Sequence, residues 1–192
     1  KIKQIYDKPT TIMEAQKGIS FFKKSVKSVL AFEELDDDDC SVVKAKIQQY
    51  KKMQSDGTTH NDLKFLLNAL TAQQFGLKIP PLGDFRAKIG EKSLDFYSSD
   101  EGPKIKQLAT KINFFHWELE FPEIFFDNDG ERKSNPGFDA VIGNPPYLSA
   151  RRMSKIGMDD QKAFFKKSSD YNCAIGIYDL YVVFIEKGIK LV

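Results

Sequence analysis

The chain has 192 residues, 41% hydrophobic and 29% charged, with a formal net charge of +2. That length holds one core-bearing domain with an attached part, and no apolar run approaches the roughly 20 residues that cross a bilayer, which argues against a membrane protein. Cys40 and Cys173 stand far apart with no Cys-x-x-Cys or flanking histidine pair, so neither a disulfide framework nor a metal site is indicated.

A reducing cytoplasm fits that cysteine usage, and no apolar signal-peptide core follows the N-terminal lysines. From Thr11 to Leu77 apolar residues recur every three or four positions, which predicts three helices in a bundle or a long antiparallel pair. The acidic run Glu33 to Asp39 reads as a solvated loop between the first two. Gly57, followed by a Thr/Asn/Asp cluster, predicts a stop and then an N-cap. Pro80, Pro81 and Gly83 end the helical pattern, so the division falls near residue 78, with a helical insert or arm over 1–77 and a second unit over 78–192.

In the second unit, "DFRAKIG" and "KSLDFY" alternate as short strands do, and "DEGPKIKQLATKINFF" predicts a short helix. "HWELEFPEIFF" is an alternating, aromatic-rich segment, and the two turn signals in "DNDGERKSNPGF" predict a surface loop. "FDAVIG" is an apolar run of strand length, suited to a parallel strand buried on both faces. "YDLYVVFIEKGIKLV" predicts a helix, with Asp179 near its start complementing the dipole and Leu180, Phe184 and Leu191 at helical spacing. Strand, loop and helix make half of an α/β unit. Open α/β sheets bind ligands at the carboxyl ends of their strands, which is where Asn144-Pro145-Pro146-Tyr147 falls.

That tetrapeptide has a definite chemical character. Pro145 and Pro146 lack N–H groups, so this backbone joins neither helix nor ladder, and the carbonyls of Asn144 and Pro145 are left as acceptors. The Asn144 side chain adds a neutral oxygen. Fixed acceptors of this kind suit an exocyclic amino group. Holding both its N–H bonds favours a pyramidal nitrogen whose lone pair meets an incoming methyl group, and it stabilises the positive charge that develops. Tyr147 can stack on the ring of a base taken out of its duplex. A WW-domain ligand is excluded, because Tyr147 follows Pro146 directly.

The tetrapeptide resembles the (Asn/Asp/Ser)-Pro-Pro-(Tyr/Phe/Trp) motif of S-adenosylmethionine-dependent amino-methyltransferases. The wider "FHWELEFPEIFF…GFDAVIGNPPYL" is similar to adenine-specific DNA methyltransferases fused to type II restriction enzymes, with a resemblance running from about residue 62 to the C-terminus. The resemblance implies an α/β fold, part of a Rossmann-like methyltransferase core with a helical N-terminal insert. It implies methyl transfer from S-adenosylmethionine to adenine N6 in double-stranded DNA within a restriction–modification system. In that reading the oxygens of Asn144 and Pro145 accept from the target amine, Pro146 holds the turn, and Tyr147 stacks on the flipped adenine. No general base is needed, and His116, beside Trp117, is expected to be structural.

The chain departs from the family's pattern in having no Gly-x-Gly to hold the cofactor. With a lysine start, this is expected of an internal fragment whose cofactor is bound mainly by other parts of a longer polypeptide and which is inactive alone. "IGEKS" puts Glu91 and Lys92 where the family commonly has a small polar residue, so no site is assigned there. After the motif, Arg151, Arg152 and Lys155, then Lys162, Lys166 and Lys167 interleaved with Phe164 and Phe165, form a segment able to track a DNA backbone; the alternative is a solvated face over buried phenylalanines. No nuclease arrangement is evident. The rival functions are a non-catalytic helical interaction or DNA-binding module with a vestigial motif, and an amino-methyltransferase acting on protein glutamine or RNA.

Overall fold

The computed structural model describes residues 23–31, 40–55, 57–79, 99–168 and 170–192. The expected acidic loop at 33–39, the two short strands at 84–90 and 92–97, and the first turns of the first helix lie outside these residues. Among the described residues the elements are helical: α1 over 23–31, α2 Cys40–Met53, α3 Thr59–Gln74, α4 Gly102–Ile112, α5 Trp117–Glu120, α6 Pro122–Phe125, α7 Ala150–Lys155, α8 Asp159–Lys167 and α9 Leu180–Ile189.

Helix α3 organises the packing. Its predicted start is formed by Thr58, in extended conformation, whose hydroxyl oxygen accepts from the Asn61 amide at 3.2 Å while Gly57 takes φ +80°. The helix is apolar on more than one face, the mark of a central helix. Leu63, Leu67 and Leu70 pack with Val26 and Leu30 of α1, with Leu119, Phe125 and Phe126, and with Leu191 near the C-terminus. Phe65, Ala69 and Ala72 pack with Ile105 of α4 and with Leu77, Leu108 and Phe114. Hydrophobic contacts therefore cross residue 78. A third core joins Ala150 and Met153 of α7 to Ala174, Tyr178, Leu180 and Val183.

The segment 116–126 corrects the expected alternation. It forms two single-turn helices, because Pro122 occupies the first position of α6, where its missing N–H costs nothing, while it cannot continue α5. The aromatic residues of this stretch then surround one ring. Phe138 meets Phe121 at 5.5 Å, Trp117 at 5.8 Å and Phe125 at 5.9 Å between centroids, each edge to face. This is a favoured arrangement for aromatic pairs. The intervening loop is the predicted turn region, closed by the Asp127 side chain accepting from the amides of Asp129 (3.0 Å) and Glu131 (2.9 Å) and by the bridge Phe126↔Arg132.

The strand expected over 138–142 has no ladder among the described residues, whose bridges are the isolated pairs Phe126↔Arg132 and Ser149↔Asp179. A strand exists by pairing its N–H and C=O groups with a neighbour, and no described segment lies beside this one as a partner. It runs instead along α9. Phe138 N donates to Leu191 O at 2.7 Å, and Val141 lies against Gly188. Gly137 makes that docking possible, since a Cβ there would stand 2.5 Å from the Val192 carbonyl oxygen. Ile142 is left 97% exposed.

Candidate functional site

Two anchors hold Asn144-Pro145-Pro146-Tyr147. On the N-terminal side the Phe138 ring sits in its aromatic nest. On the C-terminal side Leu148 O accepts from Leu180 N (2.8 Å), Ala150 N donates to Tyr178 O (2.8 Å), and Ser149 pairs with Asp179. The Ser149 hydroxyl oxygen also accepts from Arg152 N, capping α7. Between the anchors the chain turns tightly, with Leu148 N donating to Pro146 O at 3.0 Å.

That bond engages the Pro146 carbonyl only. The carbonyls of Asn144 and Pro145 accept no hydrogen bond from any described residue. Asn144 is exposed, and Tyr147 is 82% exposed. The nearest aromatic neighbour recorded for its ring is Tyr181 of α9, at 6.3 Å and 47°. Tyr181 escaped the reading of the sequence. The spacing Tyr178-Asp179-Leu180-Tyr181 was its only signal, and the Ser149↔Asp179 pairing is what brings it opposite Tyr147.

The structure separates the residues of the basic segment. Arg151, Arg152 and Lys155 are exposed on α7, and Lys166 and Lys167 are exposed at the end of α8. Lys162 is occupied with the Ser154 hydroxyl at 2.9 Å. Phe164 is buried and stacks on Phe75 at 4.6 Å with 5° between the planes, and Phe165 packs against the third core. Phe164 is thus a core residue and Phe165 a half-buried one at the edge of the core. His116 is buried and its Nε2 lies 2.8 Å from Asn68 Oδ1, in keeping with a structural role.

Among the described residues no group of His, Cys, Asp and Glu is arranged to hold a metal ion, and no helix is long and apolar enough to cross a membrane. No glycine-rich turn between a strand and a helix is present among the described residues either.

No solved structure matches the chain. It is 28% identical over 131 residues to the type II restriction enzyme and methyltransferase RM.Eco57I of Escherichia coli, a match that covers 65% of this chain and 12% of that protein. The model of the family described as "Eco57I restriction-modification methylase" matches residues 35–192, which include both anchors and the exposed turn between them, and the chain belongs to that family.

Proposed function

We propose that this chain is part of a longer DNA methyltransferase of a restriction–modification system, and that it supplies the acceptor end of the reaction: adenine N6, extruded from the duplex, is held at Asn144 and Pro145. The observation that carries this reading is a turn with two unclaimed carbonyls beside a bare tyrosine, inside a stretch matched by a restriction-modification methylase family. On an exposed turn these carbonyls are met only by water, so an incoming amine can take them without breaking a hydrogen bond within the protein.

In this reading the Asn144 side-chain oxygen and the Pro145 carbonyl accept the two N–H bonds of the amine. The lone pair is then withdrawn from conjugation with the ring and localised on nitrogen, and the positive charge that builds there lies against neutral oxygens. Tyr147 stacks on the extruded base and replaces part of the stacking lost on leaving the duplex, worth about 1–3 kcal/mol. S-Adenosylmethionine supplies an electrophilic methyl group when bound. Its hold falls to parts of the protein beyond the described residues, as do the further strands of a Rossmann-like α/β sheet flanking 138–142. After transfer the nitrogen is strongly acidic and loses its proton to water, so no histidine is required.

The test is Asn144→Ala in the full-length protein. Transfer of labelled methyl to DNA should fall by about two orders of magnitude or more, the scale of losing one preorganised polar contact to the reacting centre, with duplex affinity little changed. Unaltered transfer would show the motif to be decorative and would leave the helical interaction module as the better reading. Chromatography of the digested DNA separates N6-methyladenine from a methylated cytosine.

A further inference from the structure

Between α8 and α9 the chain forms a loop whose construction the acceptor site does not use. Glu186 clamps its first half. The carboxylate accepts from the amides of Asn172 and Cys173 (each 2.9 Å), from Asn172 Nδ2 (3.2 Å) and from Lys190 Nζ (2.7 Å), and Lys190 also donates to the Asp170 carbonyl. These bonds, that of the Asn172 amide foremost, hold the Glu186 carboxyl far below the usual carboxylate range. The second half is fixed by burial, with Ala174 and Tyr178 both within the third core and Tyr178 O bonded to Ala150 N.

A loop fixed at both ends would be expected to bury its apolar side chains as well. It does the opposite at its tip. Ile175 is 80% exposed and Ile177 71% exposed, on either side of Gly176 at φ +63°, a conformation that glycine adopts without strain.

The surroundings indicate what meets these side chains. Ile177 directly precedes Tyr178, whose carbonyl is bonded to the first residue of α7, and the exposed Arg151 and Arg152 follow in that helix. Tyr147 lies three residues before Ala150, no more than about 11 Å along the chain. Two bare isoleucines on a loop tied by the Tyr178–Ala150 bond to a helix carrying exposed cations suit a partner that is anionic outside and apolar within. A duplex with one base extruded is such a partner: phosphates line its surface, and an unfilled gap is left between stacked base pairs. Isoleucine is among the side chains that proteins insert between base steps.

We propose that the Ile175-Gly176-Ile177 tip is a wedge that enters the gap left in the DNA stack by the extruded base, with Arg151 and Arg152 seating the phosphates beside it. This rests on the reading of the chain as part of a DNA methyltransferase. The recognition sequence is not needed for the test, because a duplex carrying one abasic site presents the gap already open.

The full-length protein should bind a short mixed-sequence duplex with a central abasic site about tenfold more tightly than the intact duplex, since opening the stack no longer opposes binding. Replacing both isoleucines by serine should bring that preference to unity without changing the salt dependence, and Ile175→Val with Ile177→Leu should restore it. Arg151→Ala with Arg152→Ala should weaken both duplexes alike and flatten the salt dependence. A serine pair that keeps the preference overturns the wedge. So does a serine pair that loses it together with a lowered Tm of the full-length protein, which would place the tip against another part of the polypeptide, and so does a wild-type protein without the preference. Asn144→Ala separates the two readings: it should lower methylation by about two orders of magnitude or more and keep the abasic preference, so the wedge can fail while the methyl-acceptor role stands.

Discussion

His60 lies at the first turn of α3, buried, with neither ring nitrogen hydrogen-bonded among the described residues. Burial lowers its pKa from the ordinary 6.5, Glu120 opposes that shift, and Lys64 adds to it. The folded protein therefore holds His60 neutral where the unfolded chain would begin to take up a proton. The unfolded state binds more protons below about pH 6.5, so stability falls as the pH drops through that value and levels off above it. Thermal unfolding followed from pH 7.5 down to 5.5 should show a declining Tm, and His60→Leu should flatten the decline; an unchanged slope in that variant would assign it to other groups. Asn144 and Tyr147 differ from His60 in facing solvent. Their exposure leaves the polar and aromatic character seen in the sequence available to a partner, whereas the unmet hydrogen-bonding groups of His60 are invisible until its neighbours are placed.

Among the elements, α3 is the one whose sequence signals and structure agree most closely. Stop, cap and apolar periodicity follow one another in the chain, and each is local physics. Thr58→Ala should remove the capping acceptor for Asn61 N and lower stability by about 1 kcal/mol, read as a shift in urea midpoint at constant slope. The stretch 116–126 shows the opposite case. Its alternating pattern is compatible with a strand, yet Pro122 divides it into two helical turns, and the rings converge on Phe138 rather than lying on two faces of a sheet. The basic segment after the motif shares its work between surface and core in the same way: its phenylalanines are taken up by packing against Phe75 and Tyr171, and its arginines stay free of that packing.

At the scale of the whole molecule, the proposed methyl transfer calls for cofactor-binding and sheet-forming parts that the described residues do not show. The 192 residues contain no Gly-x-Gly turn, and 138–142 has Ile142 bare and no ladder partner among the described residues. The chain spans 12% of the length of the curated relative it matches. Purified alone, it should transfer no labelled methyl group from S-adenosylmethionine to DNA, while the full-length protein should; transfer by the isolated chain would mean that these residues hold the cofactor after all. An unpaired apolar edge also favours self-association, which sedimentation of the isolated chain would register.

The sequence by itself determined the helical periodicity of the described stretches before residue 78, the turn chemistry of the loop at 127–138 and the absence of backbone donors at Pro145 and Pro146. In each case the deciding interactions lie within a few residues: a cap, a side chain bonded to a nearby amide, two prolines without N–H groups. Only the tertiary structure decided that Phe138 is seated among three rings, that Tyr181 stands opposite Tyr147, and that Ile175 and Ile177 remain bare while their neighbours are buried. Those facts depend on contacts between residues far apart in the chain, whose free energy comes from burial shared across elements, and no local pattern records which partner each side chain will find.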